Sequence, residues 1–310
     1  MKKSRIIIAI SLIMIFILVI VKVSKRENIL SITTIKRSYG MVTLTEKSEE
    51  IVVPLFFTVK DNYYVNIKNI CEVMIIDKNE ENGLKVELIE IVDVKEEITL
   101  VDKLFYCYSF KLKVNSDINY SLKEAYLKII YLCDEIKINI GSFDFQVVEK
   151  FGGDELITIS NLKGIINERN KEKDIYGLCI GVKNKTSDNV KIVGIEVLNR
   201  NYKTSETEIK EIDYIPDFTD EVSDILGYEY NYFEIKEVDS LSIYIDGNEQ
   251  KILFIPLKKV GNFSSNLFGI MIEVETDGVK KNIYYDDFLF FTSKEKLSYE
   301  DFEVISYENH

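Results

Sequence analysis

The chain has 310 residues, which is long enough for two domains of ordinary size. A hydrophobic fraction of 46% with 29% charged residues excludes a wholly disordered protein, and the formal net charge of -13 at pH 7 argues against nucleic-acid binding, because phosphates would be repelled. Alanine occurs only at Ala9 and Ala125, whereas Ile, Val, Tyr and Phe are abundant, so the composition favours strands over helices.

Residues 1–30 predict a basic leader followed by a membrane anchor. An apolar run from Ile6 to Val21 would form a helix of about 24 Å, and inclusion of Val23 brings it closer to the roughly 30 Å hydrocarbon core. No small-x-small cleavage site follows, so residues 6–23 are predicted to remain as a single-pass signal anchor in the cell membrane; a cleaved secretory signal peptide is the alternative. Because a short basic leader usually stays in the cytoplasm, we expect the bulk of the chain to be extracytoplasmic.

The chain repeats itself. The segment DEIKINIGSFDF at 134–145 matches DGVKKNIYYDDF at 277–288 in six of twelve columns, and LKVELIEIVD at 84–93 resembles VKIVGIEVLN at 190–199. The two matches lie at different spacings, so the second copy is longer between the matched blocks. A repeat over so long a distance indicates tandem domains rather than a solenoid.

The first copy, residues 31–150, predicts a β-sandwich. Short apolar runs separated by polar turns are typical of antiparallel sandwiches. The predicted strands are 51–59, 70–76, 84–92, 98–101, 104–114, 126–133 and 136–148. Asp134-Glu135 is predicted to form the last turn, with Ile140 and Phe145 facing a core.

The second copy, residues 151–293, predicts a second sandwich, after a glycine hinge at 151–155. Its predicted strands are 156–160, 178–183, 190–198, 241–245, 252–257, 268–275 and 279–291. Asp277-Gly278 is the strongest hairpin signal in the chain, and Ile283 and Phe288 are expected to face the core. The resulting fold class is mainly β: two tandem immunoglobulin-like or fibronectin-like β-sandwich domains after an N-terminal transmembrane helix, with residues 294–310 as a short helix or a C-terminal tail.

The second domain carries an acidic, tyrosine-rich insertion at residues 202–238, and long insertions between framework strands often hold binding residues. Its aspartates are spaced so that on a helix they would share one face, and its tyrosines offer large contact areas at low entropic cost. The predicted binding residues are Asp213, Asp217, Asp220, Asp224, Tyr214, Tyr228, Tyr230 and Tyr232. A solvated cap on the sandwich is the alternative.

The sequence offers little catalytic chemistry. The only histidine is His310, so a serine or cysteine nucleophile would have no histidine partner, and no glycine-rich phosphate loop is present. The four cysteines lack CxxC spacing, which predicts buried thiols rather than zinc ligands, with one disulfide in the first half as the alternative. We therefore predict no catalysis, no cofactor and no metal site. Calcium at the insertion is a weaker expectation, because the D-x-[DN]-x-[DN]-G signature is absent.

The predicted function is that of a membrane-anchored extracytoplasmic binding or scaffold protein whose partner is another protein. Pro54 and Pro256 lie within predicted strands, which indicates edge or bulged strands that a partner chain could extend. Two alternatives remain open. One is a histidine-free carboxylate hydrolase acting on a cell-surface glycan, and the other is a membrane accessory protein that faces the cytoplasm.

Overall fold

The structure is a computed structural model, and most of the chain after residue 28 can be described. The described residues are 29–45, 47–148, 155–169, 172–204, 208–217, 220–227, 229, 241–294 and 296–308. The predicted anchor at 6–23, most of the predicted hinge at 151–155 and His310 lie outside them. Within these ranges no helix has both the length and the apolar character needed to cross a membrane.

The first half of the chain is made of strands and two short 3-10 helices, so the mainly β fold class is confirmed here. The strands are β1 (Ile29–Ile35), β2 (Arg37–Leu44), β3 (Ser48–Phe57), β4 (Ile70–Ile76), β5 (Gly83–Leu100), β6 (Lys103–Asn115), β7 (Tyr120–Tyr131) and β8 (Glu135–Val148). The 3-10 helices, Tyr63–Val65 and Ile67–Asn69, lie between β3 and β4. Each predicted strand is present, but 84–92 and 98–101 form the single long β5, and β1 and β2 were not predicted.

The second half is also mainly β. Its elements are β9 (Ile157–Arg169), β10 (Glu172–Asn184), β11 (Val190–Leu198), β12 (Tyr202–Thr204), β13 (Lys210–Ile212), α1 (Val222–Leu226), β14 (Ile243–Ile245), β15 (Gln250–Lys259), β16 (Ser265–Thr276), β17 (Val279–Thr292), a 3-10 helix (Tyr299–Asp301) and β18 (Phe302–Glu308). The predicted strands are again present. The expectation for residues 294–310 is a short helix or a tail, whereas the structure has the full strand β18 there.

The strands form two sheets. The larger has 13 described strands in the order β14-β11-β16-β2-β8-β7-β4-β5-β6-β3-β1-β18, with β17 also beside β16. The smaller has five described strands in the order β12-β15-β10-β9, with β13 also beside β15. One large buried cluster is built from first-half residues such as Phe110 and Phe143, and another from second-half residues such as Phe254 and Phe268. The division into sandwich domains at 31–150 and 151–293 stays a prediction.

The repeated sequence lies on two hairpins of equal strand length. Strands β7 and β16 have 12 residues each, and β8 and β17 have 14 each. In the second hairpin Asp277 and Gly278 both have positive φ, as a two-residue turn with the twist of the strands requires. The predicted turn at Asp134-Glu135 is wrong by two residues. Tyr131 N donates a hydrogen bond to Asp134 O at 2.8 Å, so the two turn residues are 132 and 133.

The core positions predicted from the repeat can be checked for three of the four residues. Ile140, Ile283 and Phe145 are buried, which confirms their predicted role. The side chain of Phe288 lies outside the described part. The repeat is therefore a pattern that fills the core beneath equivalent strands, even though its two aspartates hold different turn positions.

The two prolines do not mark edge strands. Strand β3 lies between β6 and β1, and β15 lies between β10 and the pair β12 and β13. Pairing of β3 with β1 stops at Leu55, directly before Pro54 is reached, and Pro256 falls in the gap between β12 and β13 along β15. Each proline therefore lies where one neighbouring strand stops, so the missing N–H breaks no ladder on that side.

Strand β2 connects the two halves of the larger sheet. It runs parallel to β8 over its whole length and parallel to β16 at Ser38 and Tyr39. Asn199, at the end of β11, donates to Ser38 O at 3.3 Å and to Leu267 O at 2.8 Å, and it is buried. The backbones meet so closely that a Cβ on Gly40 would lie 1.6 Å from Leu198 O. The halves thus meet through a tight backbone junction.

The last strand returns to the first. Strand β18 pairs antiparallel with β1 along all seven residues of each, from Ile29 opposite Glu308 to Ile35 opposite Phe302. Asp301, just before β18, accepts hydrogen bonds from Ser264 Oγ at 2.7 Å and from Ser298 N at 2.6 Å. The bond from Ser264 ties the C-terminal segment to the start of β16, and Lys36 N, between β1 and β2, donates to Asp301 O at 2.8 Å.

Candidate functional site

The insertion at 202–238 is part of the second-half core rather than a detached loop. Its strands β12 and β13 pair with β15, and the apolar side chains of α1, Val222, Ile225 and Leu226, are buried in the second-half cluster. Lys210 Nζ donates to the carbonyl oxygens of Ile225 at 2.9 Å and Leu226 at 3.1 Å, which satisfies the C-terminal end of α1. The described part of the insertion therefore packs on the sheet and core, and its role in binding stays a prediction.

The predicted aspartates do not share a helical face. The helix α1 has five residues and contains only Asp224, while Asp213 lies after β13 and Asp217 is exposed in the following loop. Asp217 N donates to Asp220 Oδ2 at 2.8 Å, so these two residues are close. Lys163 Nζ lies 3.7 Å from Asp217 Oδ1. In the described ranges no group of three or more His, Cys, Asp or Glu residues is placed to hold a metal ion.

Only one of the predicted tyrosines can be placed. Tyr214 is 52% exposed, and the adjacent Ile215 is 43% exposed. The structure does not describe Tyr228, Tyr230 or Tyr232. Beneath this loop, the hydrogen bond from Lys251 Nζ to Glu211 Oε2 at 2.8 Å raises the pKa of Lys251 and ties β13 to β15. The loop thus presents an aromatic and an aliphatic side chain on a well-fixed base.

A cleft that the sequence did not predict opens where β5 leaves β4. These strands pair from Ile76 opposite Gly83 to Val73 opposite Val86, and from Glu87 onward β5 pairs with β6 instead. The next pairs in the β4 register are not formed. The space between the strands is about 560 Å³, a size typical of ligand pockets, and apolar residues such as Ile70 and Leu88 line it.

Charged pairs surround the cleft. Lys85 Nζ lies 2.8 Å from Glu72 Oε1, and Lys113 Nζ lies 3.9 Å from Glu87 Oε2. All four side chains keep about a third or more of their surface exposed, so each pair contributes little to stability. Such pairs can exchange partners when another charged chain approaches.

A free thiol also lines the cleft. All four cysteines lie in the described ranges and are free, so the alternative prediction of a disulfide in the first half is not supported. Cys107 and Cys179 are buried as predicted, and burial raises the pKa of each thiol to about 11. Cys71, in the cleft, and Cys133, in the β7–β8 turn, are exposed, so the prediction of four buried thiols is wrong for these two.

The cleft continues into a long open strand edge. Beyond Val86 the side of β5 that faced β4 has no strand partner among the described residues, through to Leu100. Unpaired strand edges are templates on which another chain can add a strand. The sequence predicts two separate strands here, 84–92 and 98–101, so it does not predict the single 18-residue strand or its change of partner.

Neither a family model nor any of the curated proteins matches the chain. Solved structures with some similarity include a protein of unknown function from Porphyromonas gingivalis W83, at 10% identity and a TM-score of 0.23, covering 81% of this chain and 96% of that one. Another is the C-terminal domain of the Streptococcus agalactiae AgI/II polypeptide BspA, at 10% identity and a TM-score of 0.21, covering 82% of this chain and 95% of that one. A third is a mutant of the CFA/I enterotoxigenic E. coli adhesin CfaE, at 8% identity and a TM-score of 0.16, covering 90% of this chain and 86% of that one. TM-scores this low do not support assigning the fold or the function of any of these proteins to this chain.

Proposed function

We propose that the chain is a single-pass membrane protein whose extracytoplasmic, strand-rich body binds an extended segment of another protein and does not catalyse a reaction. The observation that carries this proposal is the open edge of β5 from Glu87 to Leu100, with the cleft at its start. An added strand would hydrogen-bond to this edge through its backbone. Its alternate side chains would then contact the sheet, and one of them would enter the cleft.

The charge of β5 indicates the kind of segment. Beyond Val86 its exposed acids are Glu87, Glu90, Glu96 and Glu97, whereas Lys95 is its only basic residue. Ile89, Val92 and Val94 are also between 36% and 44% exposed. A partner strand that carries lysine or arginine between apolar residues would complement both features.

Edge protection is the competing interpretation of the same residues. Charges and bulges keep sheet edges from aggregating, and the pairing of β5 with β6 shifts register between Leu88 and Glu90 and between Asp93 and Glu97. These shifts divide the edge and leave residues 90–93, which follow the cleft, as a stretch in continuous register where a partner strand fits. The proposal therefore requires selective binding there.

A synthetic peptide can test this proposal on the full-length protein in detergent micelles. The probe is a fluorescently labelled decapeptide of alternating Lys and Val, and the readouts are its anisotropy and the hydrogen exchange of backbone amides at 83–100. We expect salt-sensitive binding that slows exchange in β5. In the control peptide every second valine is replaced by proline, which keeps the charge of the peptide but removes backbone N–H donors. This peptide cannot add a strand to the edge, so it should not bind.

A charge variant sharpens the test. Glu90→Lys should weaken binding of the Lys-Val peptide at least about tenfold, because it replaces attraction by repulsion beside an added strand. Equal binding by the proline control, or protection elsewhere than 83–100, would exclude the β5 edge. The exposed Tyr214 and Ile215 remain a second proposed contact surface, which the same exchange experiment would reveal.

A further inference from the structure

The hairpin between β5 and β6 has an unusual tip. Leu100 pairs with Lys103, so Val101 and Asp102 form a two-residue turn, and their φ angles are 49° and 58°. Turns of this kind favour Asn and Gly, whereas a β-branched residue in the left-handed region is strained. Val101 is also 71% exposed, the highest value among the large hydrophobic residues whose burial is described. The tip therefore combines backbone strain with an exposed apolar side chain, and local folding explains neither.

The tip lies at the end of the body where the chain enters from the predicted anchor. Lys103 Nζ donates to Ser31 Oγ at 2.8 Å, which places the hairpin beside the first strand. Strand β1 begins at Ile29, and the predicted span ends at Val23. Six residue steps reach at most about 22 Å, so the start of β1 stays close to the lipid surface wherever that span is inserted.

Other residues at this end have a matching character. Val59, in the loop after β3, is 40% exposed, and Leu104 is 43% exposed. Lys60 and Lys103 are adjacent in the chain to Asp61 and Asp102, so the charges of these four residues balance, and Lys60 Nζ also lies 3.8 Å from Asp93 Oδ2. A surface with exposed aliphatic side chains and little net charge suits the interface of a bilayer without requiring anionic lipid.

We propose that the β5–β6 hairpin tip is a second membrane contact, in which Val101 enters the lipid interface beside the anchor. Strain at an exposed turn is then retained because it directs an apolar side chain toward lipid. The contact would hold the body at a fixed tilt on the bilayer. The inference rests on the proposed membrane anchor, but it is independent of the peptide-binding proposal and holds for either orientation of the anchor.

The absence of tryptophan from the chain provides a clean test. Val101→Trp in the full-length protein, reconstituted into phosphatidylcholine vesicles, introduces one fluorophore at the tip. We expect its emission to lie at shorter wavelength than that of a model indole in buffer, and to lose about half of its intensity when brominated phosphatidylcholine replaces the ordinary lipid.

Val279→Trp is the matched control, since Val279 is 54% exposed and follows the turn of the other hairpin. Its emission should not respond to the brominated lipid. Leu104→Trp provides a second reporter at the tip in case Val101→Trp disturbs the turn. Quenching at Val101 or Leu104 but not at Val279 supports the proposal, whereas no quenching at either tip position, or equal quenching at all three, overturns it.

Discussion

Gly40→Ala tests the junction between the two halves most directly. The added Cβ would lie 1.6 Å from Leu198 O and 2.5 Å from Leu198 C. Ordinary contact between non-bonded heavy atoms is about 3.5 Å, so β2 and the end of β11 would have to separate by about 2 Å. That movement would break two buried hydrogen bonds between Ser38 and Asn199, which measure 3.2 and 3.3 Å.

The expected cost follows from these contacts. Overpacking costs about 1–3 kcal/mol, and each lost buried hydrogen bond adds about 1 kcal/mol, so the free energy of unfolding should fall by about 3–5 kcal/mol. The assay is urea unfolding of the full-length protein in micelles, followed by far-UV circular dichroism and tyrosine fluorescence. We also expect the variant to unfold in two separated steps, because the halves lose their shared strand.

Gly278→Ala is the matched control for this prediction. Gly278 has a φ of 74° and nothing within 4 Å of the added Cβ, so only backbone strain of about 1–2 kcal/mol is expected. A cost for Gly40→Ala no larger than that of Gly278→Ala would refute the reasoning. The junction would then be loose enough to accept a methyl group, and β2 would not hold the halves together.

Three further predictions concern the turn, the thiols and the C-terminal segment. Val101→Asn should raise the free energy of unfolding by about 1 kcal/mol in urea titrations, because Asn tolerates the left-handed region; a loss of stability would contradict a strained turn. At pH 8 a thiol reagent should label two cysteines rapidly in the native protein, and mass spectrometry should identify them as Cys71 and Cys133, with rapid labelling of Cys107 or Cys179 counting against their burial. Burial alone would raise the pKa of Asp301, but hydrogen bonds from Ser264, Ser298 and Lys294 lower it below its usual value. Its ionised form therefore stabilises the fold above about pH 4, and this contribution is lost as the pH falls through the folded-state pKa. Asp301→Asn should lower the free energy of unfolding by about 1–2 kcal/mol at pH 7 and by progressively less below pH 4. A loss that does not change with pH would show that the ionised carboxylate is not its cause.

The sequence predicts most strands because their apolar residues alternate or form short runs. It fails for β1, whose polar residues Ser31, Thr33 and Thr34 are as deeply buried as its apolar ones. Their hydroxyls are accommodated by neighbouring strands, as when Thr33 Oγ1 donates to Glu303 O at 2.7 Å and Thr34 Oγ1 donates to Pro54 O at 2.6 Å. A strand covered on both faces shows no alternation, so periodicity cannot reveal it.

The candidate sites show a different limit. The insertion was identified from its acids and tyrosines, but the spacing of Val222, Ile225 and Leu226 already indicated a short helix with one buried face. The cleft depends on where β5 changes partner from β4 to β6. That change is decided by contacts between segments distant in the sequence, and no local pattern encodes it.

The pairing of β18 with β1 affects how the protein is made. Strand β1 leaves the ribosome long before β18, because Thr33 in β1 and Glu303 in β18 are 270 residues apart in the chain. Until β18 has been synthesised, β1 presents an unpaired strand edge that chaperones and other nascent chains can reach. A product truncated before residue 302 would therefore carry its defect at β1, far from the point of truncation in the sequence.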